Sequence, residues 1–157
     1  MVQITIEYMI LTPVFILLIF LLPLFANSVM NNYADSRQNL ELQNVANHLG
    51  STIQQVYFSL NHETVGAGIV SSNMQIPPLL EGYPYTVNAT SRIASGSGSI
   101  IVDFKLILMG SGATTNASVT LDKNAVWVNS YFWSNSATAS ISAIKFSNDT
   151  IQVSIKP

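Results

Sequence analysis

The feature that most constrains this chain is an apolar run near the N-terminus, from Tyr8 to Ala26, in which Thr12 is the only clearly polar side chain. As a helix the run would be about 28 Å long, close to the apolar thickness of a bilayer. It is longer than the apolar part of a secretory signal, usually about 7–15 residues. Its flank, from Met1 to Glu7, contains no Lys or Arg, and one explanation is that a short basic leader has been removed. The run predicts a helix that is buried in a membrane or in an assembly.

The apolar run continues into an amphipathic stretch. There, large apolar residues recur at spacings of three and four, which places them on one stripe of a helix. The polar bridge at residues 27–32 is compatible with a helix or with a segment locally melted after Pro23. The simplest interpretation is a single helix from about residue 4 to about residue 60, whose second half lies on a head domain. The stripe consists of Leu42, Val45, Leu49, Ile53, Val56 and Leu60.

After Asn61 the periodicity changes from helical to alternating, which is typical of β-strands. The most regular strand is predicted at Ile100–Leu108, and Gly-rich and Asn-rich pieces predict turns at residues 96–98, 110–112 and 147–149. Further strands are predicted at Tyr83–Thr90, Ala117–Asp122, Ala125–Phe132, Thr138–Phe146 and Thr150–Lys156.

These patterns predict an α+β fold, in which a long N-terminal apolar helix precedes a globular antiparallel β-sandwich or barrel-like head. The predicted domains are the helix, residues 1–62, and the head, residues 63–157. Within the helix, residues 1–26 form the assembly or membrane segment and residues 27–62 the amphipathic segment that packs on the head.

Composition excludes several functional classes. Only 9% of residues are charged, the net charge is −2, and there is no basic cluster, so no nucleic-acid partner is expected. The chain has no cysteine, and on a continuous helix His48 and His62 would stand about 21 Å apart, too far for one metal ion. No phosphate loop, nucleophile elbow or HExxH motif is present. We therefore predict no catalytic residue, no cofactor and no metal, and an enzyme is the least favoured class.

The start of the apolar run resembles a known motif. The segment Gln3-Ile4-Thr5-Ile6-Glu7-Tyr8-Met9-Ile10-Leu11 is similar to the archaeal class III prepilin motif, in which a Gln opens the mature helix and a Glu follows four residues later. With Gln3 as the first mature residue, Glu7 is the fifth, the position of the glutamate typical of type IV pilins. Pro23 lies near the place where many pilin helices carry a proline. Met1 and Val2 precede Gln3, so either they remain from a leader or the processing site differs.

The resemblance implies a structural subunit of an extracellular archaeal type IV pilus-like filament that polymerises through its N-terminal helix and serves in adhesion. It implies identical subunits as partners in a helical homopolymer, a prepilin peptidase and membrane assembly machinery, and insertion in the membrane before assembly. Glu7 is then either a charge at the membrane surface or a docking group paired with a neighbour's amine. The implied assembly residues are Gln3, Glu7, Tyr8, Leu11, Phe15, Leu18, Leu22 and Pro23.

Two further features belong to the predicted head. Asn88, Asn116 and Asn148 each begin an Asn-x-Ser/Thr triplet and are candidates for N-glycosylation of an exported chain. An aromatic group suggests either a carbohydrate-binding platform or, as we prefer, residues of a core or a subunit contact. The group consists of Trp127, Tyr131, Phe132 and Trp133.

Three alternatives to a major pilin remain open. The chain would be a membrane-anchored extracellular binding module if the helix stayed in the bilayer and the aromatic group met a ligand. It would be an archaellum filament subunit for motility within the same superfamily, although archaellin N-termini are typically richer in Gly and Ala. A minor pilin that primes or tips the filament would carry the same sequence features.

Overall fold

A computed structural model describes the backbone of residues 2–136 and 139–156, and within these ranges the side chains from Met9 onward. One long α-helix, α1 (Val2–Leu60), precedes eight β-strands, which confirms the predicted α+β fold. The strands are β1 (Gly68–Asn73), β2 (Tyr85–Ile93), β3 (Ile100–Leu108), β4 (Thr114–Leu121), β5 (Ala125–Trp127), β6 (Ser130–Trp133), β7 (Ser140–Lys145) and β8 (Ile151–Lys156).

Helix α1 is continuous through the polar bridge at residues 27–32, so the locally melted alternative is excluded. Pro13 and Pro23 both lie inside the helix. The chain divides into two compact units, Met1–Arg37 and Gln38–Pro157, and the division falls within α1. The second unit therefore contains the last part of the helix together with all eight strands.

The strands of the second unit form two four-stranded sheets. The first sheet has the order β1-β7-β8-β5 and the second has the order β4-β3-β2-β6. Neighbouring strands are antiparallel except β5 and β8, which run parallel. The sheets fit the predicted sandwich, with this one parallel pair as an exception to the expected antiparallel pattern.

The predicted helical stripe is buried, and no member of it exposes more than 6% of its surface. Its side chains join the inward-facing residues of both sheets in one hydrophobic core that also contains Phe104, Phe132 and Tyr57. Full burial of a large apolar side chain is worth about 1.5–3 kcal/mol, so the buried stripe stabilises the folded position of the last part of α1. The amphipathic pattern thus correctly identified the helix face that packs on the strands.

Two features of the strand predictions are wrong. Strand β1 was not predicted, because Gly68–Asn73 is short, half polar and places Ile69 in solvent. The predicted single strand Ala125–Phe132 is two strands in different sheets, since the chain crosses between them at Val128 and Asn129. The Oγ of Ser130 stabilises this crossing by donating to Val128 O at 2.7 Å.

A buried lysine lies near the C-terminal end of α1. Lys145 is 6% exposed and its Nζ donates to the carbonyl oxygens of His62 and Val65, at 3.3 and 2.8 Å. Its ammonium also lies 3.4 Å from a carboxylate oxygen of Asp149. Both carbonyls lie just after the last helical residue, Leu60, and a buried ammonium group needs such hydrogen-bond acceptors. Lys145 thus joins strand β7 to the segment that leaves the helix.

We expect the head to lose stability in alkali through Tyr85. This side chain is fully buried, its hydroxyl donates to Pro77 O at 2.8 Å, and burial raises the pKa of its phenol. In the unfolded chain the phenol ionises at about pH 10. Since the folded pKa is higher, the contribution of Tyr85 to stability is intact below pH 10 and falls as the pH rises above it.

The measurement is the denaturant midpoint of unfolding as a function of pH, from neutral pH to above pH 10. Tyr85→Phe is expected to weaken the alkaline fall in this midpoint. Tyr131→Phe, at an exposed tyrosine, is expected to leave it unchanged. An alkaline fall of equal size in both variants would contradict the role of Tyr85.

Candidate assembly and modification sites

The sequence-predicted assembly residues lie on the first part of α1. Leu11, Phe15, Leu18, Leu22 and Pro23 are all exposed there. The side chains of Gln3, Glu7 and Tyr8 lie outside the described residues, although their backbone is helical.

The exposure extends around the whole helix in this region. Every described side chain from Met9 to Arg37 is exposed, and the large apolar ones from Met9 to Phe25 expose between 42% and 75% of their surface. By length and composition, α1 is suited to cross a membrane. A continuous apolar surface of this kind is unfavourable in water and marks a membrane or protein contact. The segment Met9–Phe25 is therefore the candidate assembly segment.

Two of the three glycosylation candidates lie together on the outer face of the second sheet. Asn88 on β2 is the direct cross-strand partner of Lys105 on β3, and Lys105 is the partner of Asn116 on β4. Both asparagines and the lysine are exposed. With strands about 4.8 Å apart, the two asparagines stand about 10 Å from each other. Tyr131 on β6 is the partner of Asn88 on the other side and completes the row.

A depression of 420 Å³ lies over the part of this row formed by Asn88, Lys105 and Asn116. Its lining includes Asn88 and Asn116 and the hydroxyl residues two positions after them, Thr90 and Ser118. Strand alternation explains the grouping, because residues two apart point to the same face of a sheet. Lys105 also lines the depression and was not singled out from the sequence. The sequence offered one signal for Lys105. It and Asn88 lie at nearly equal distances on either side of the turn at residues 96–98, so a hairpin centred there pairs them.

The third candidate, Asn148, lies apart from the other two in the turn between β7 and β8. Its side chain is exposed, and its Oδ1 accepts a hydrogen bond from the backbone N–H of Thr150 at 3.2 Å. This local bond stabilises the turn, as Asn side chains commonly do.

The aromatic group is divided between the core and the surface. Trp127 and Phe132 are buried, and the ring of Trp127 packs edge-on against Phe104 with centroids 6.2 Å apart. Tyr131 and Trp133 are exposed and form an edge-on pair with centroids 6.5 Å apart. The core interpretation holds for the first two residues, while Tyr131 of the exposed pair belongs to the row that contains Asn88 and Trp133 lies two residues further along β6.

The remaining polar clusters have structural partners. Near the end of α1 the hydroxyl of Tyr57 donates to Asn124, whose Nδ2 donates to Asn61 Oδ1 at 2.8 Å. His48 lies 3.1 Å from Met74 O and His62 lies 2.8 Å from Thr64 Oγ1, so the two histidines have different neighbours. Within the described part of the chain, no group of three His, Asp or Glu residues could hold a metal ion.

Comparisons with protein-family models, with curated proteins and with solved structures each found no match. Function is therefore inferred from the chain's own residues.

Proposed function

We propose that the chain is a structural subunit of an extracellular type IV pilus-like filament of archaeal type, which polymerises through its N-terminal helix and serves in adhesion. The observation that carries this proposal is the contrast within α1. From Met9 to Phe25 the helix exposes its apolar side chains, whereas from Leu42 to Leu60 one face of it is buried in the core of the head. Only the second part buries its large apolar side chains within the same chain, so the apolar side chains of the first part require a contact elsewhere.

The N-terminal motif favours identical subunits as those partners. Gln3 and Glu7 have the spacing of the prepilin motif, and Glu7 directly precedes the apolar run. A carboxylate facing lipid is costly, and a buried carboxylate needs a hydrogen-bonding or charged partner. In a filament, an amine of the neighbouring subunit is that partner.

The proposed assembly has two stages. The apolar helix first holds the subunit in the membrane, and assembly machinery then transfers it into a bundle with the helices of other subunits. Fifteen large apolar residues lie in the segment from Tyr8 to Phe25 with both ends included, and their removal from water is worth on the order of 20–40 kcal/mol as an upper bound. Relative to lipid the gain is much smaller, because lipid tails are also apolar. Transfer of the helix from the membrane into the filament then has a small free-energy cost, while the finished filament is stable in water.

Contacts between identical subunits that do not close into a ring produce a helical polymer. Such contacts join two different surfaces of the subunit, so every added subunit presents a new site for the next. This chain has two such different parts, an apolar helix and a head.

Glu7→Ala is expected to reduce filament yield strongly while the head still folds, because the substitution removes the proposed docking group and leaves the core unchanged. The measurement is the amount of sheared filament per cell, with the fold of the head checked by circular dichroism. Glu63→Ala, which removes an exposed carboxylate from the head, is the matched control and is expected to assemble normally. Normal yield and symmetry of Glu7→Ala filaments would exclude the docking role.

The proposed function itself is tested by electron microscopy of filaments sheared from the native cell surface, with mass spectrometry of the same material. We expect thin filaments in which this chain is the dominant component. The proposal fails if the chain stays in the membrane fraction and no filament contains it.

A membrane-anchored binding module is the second candidate, and the exposed pair Tyr131 and Trp133 is the observation that favours it. Exposed aromatic rings beside polar side chains are suited to stack on sugar rings. Recovery of the chain only from membranes would make this candidate the leading one.

A further inference from the structure

We propose that the outer face of the second sheet is a glycan-bearing face, on which Asn88 and Asn116 are both N-glycosylated and their first sugars lie side by side over Lys105. The inference rests on the proposed function only in requiring that the chain be exported. It adds to that function the chemical nature of one surface of the subunit.

The first support is the convergence of two sequons in one depression. Asn88 and Asn116 are twenty-eight residues apart in the chain, yet the register brings both to Lys105 and aligns Thr90 and Ser118 beside them. All four sequon residues line the same depression of 420 Å³. The asparagines are exposed, so a sugar on either one needs no rearrangement of the core. At a separation of about 10 Å the two first sugars are neighbours without overlapping.

The second support is the absence of charge on the edge strand β4, since the charged residues of this face, Arg92, Asp103 and Lys105, lie on β2 and β3. Strand β4 is an edge strand of eight residues, Thr114–Leu121, without a charged residue or a proline. Edge strands without such features are prone to pair with other chains, and natural proteins protect them. A glycan on Asn116 gives β4 a bulky, hydrated cover. A glycan on Asn88 covers the adjoining part of the face next to Tyr131.

The chemistry requires a lipid-linked oligosaccharide, with a phosphate as leaving group, as the sugar donor. The side-chain Nδ2 of the asparagine attacks the anomeric carbon of the first sugar, so that an N–C bond forms. The bond between this carbon and the phosphate oxygen breaks, and the lipid phosphate leaves with the electron pair. The amide nitrogen loses one proton to a base of the transferring enzyme, and no oxidant or reductant takes part.

Site occupancy is tested by mass spectrometry of peptides from the full chain produced in its native cell. We expect the peptides that contain Asn88 and Asn116 to carry an oligosaccharide. Thr90→Ala and Ser118→Ala are expected to abolish modification of the asparagine two residues earlier, although the asparagine itself is retained. Thr90→Ser and Ser118→Thr keep the sequon, and in these variants the asparagines are expected to be modified as in the wild-type chain. Unmodified Asn88 or Asn116 in the wild-type chain would overturn the proposal.

The shared position over Lys105 is tested by acylation of lysines in the folded chain. In the doubly glycosylated protein Lys105 is expected to react several-fold more slowly than in the variant that combines Asn88→Gln and Asn116→Gln. Lys123, an exposed lysine in the turn after β4, is the internal control and is expected to react equally in both. Equal reactivity of Lys105 in the two proteins would contradict the placement of the sugars.

These outcomes are separable from those of the proposed function if chain from sheared filaments and chain from membranes are both measured. Glycosylated chain found only in membranes would support the glycan face and contradict the filament. Filaments in which Asn88 and Asn116 are unmodified would support the filament and contradict the glycan face.

Discussion

A chain that begins at residue 30 is expected to be a soluble monomer that forms no filaments. The truncation removes the whole assembly segment Met9–Phe25, whose large apolar side chains are exposed, and retains the helix stripe that packs in the head core. The loss is large because burial of the apolar residues in this part of the chain is worth on the order of 20–40 kcal/mol against water as an upper bound.

Sedimentation velocity of the fragment, together with electron microscopy of the same sample, provides the measurement. The full-length chain extracted in detergent is the control, and it is expected to associate once the detergent is removed. If the fragment polymerised unaided, the head and not the helix would be the main assembly element. If it failed to fold, the first unit would be needed for the head as well.

Leu49→Ala is expected to destabilise the head by about 2–5 kcal/mol, whereas Leu40→Ala on the same helix changes stability by about 0.5 kcal/mol or less. Leu49 is 1% exposed and belongs to the hydrophobic core, while Leu40 is 66% exposed. The chemical change is the same in both variants, so the difference measures burial. Removing the side chain of Leu49 loses its transfer free energy and leaves a cavity that the neighbouring residues only partly fill.

Denaturant unfolding of the fragment from residue 30, with each variant beside the unsubstituted fragment, gives the two free energies. The m-values should agree, since a changed m-value would indicate a different unfolded or native state. Equal destabilisation by both substitutions would mean that the helix is stabilised by its own propensity. A near-zero effect of Leu49→Ala would mean that the last part of α1 is not part of the cooperative unit.

The glycan face and the assembly segment have complementary roles in the proposed filament. The assembly segment provides apolar contacts, and a face that carries two oligosaccharides is unsuited to close contact between protein surfaces. If both proposals hold, the outer face of the second sheet lies on the solvent side of the filament. The hydration that charged residues supply in other proteins is then supplied here by sugars, since charged residues make up only 9% of the chain.

The long helix and the stripe from Leu42 to Leu60 could be predicted from the sequence because both are local patterns. An apolar run of this length and a period near 3.6 residues require no knowledge of the rest of the fold. Strand β3 was predicted with its correct bounds for the same reason, since its alternation continues without a break from Ile100 to Leu108. The turns at residues 96–98 and 110–112 were marked by glycines, of which Gly96, Gly98 and Gly112 adopt positive φ angles.

The candidate modification site was only partly predictable. The sequence identified Asn88 and Asn116 as separate candidates, but their meeting over Lys105 depends on the register of β2, β3 and β4. Register is set by the turns and by which face of each strand is buried, and a shift of one residue would turn either asparagine into the core. The turn at residues 96–98 indicates at most the pairing of Lys105 with Asn88, and its position between both asparagines is seen only in the folded sheet.

The bounds of the helix, its apolar face and the alternation along the main strands all follow from local sequence patterns. Three other features are seen in the folded chain alone: β5 and β6 belong to different sheets, β5 runs parallel to β8, and β1 pairs with β7. The burial of Lys145 against the carbonyls of His62 and Val65 is a fourth. These features depend on contacts between residues far apart in the chain, and the periodicity of a short segment contains no information about its distant partner.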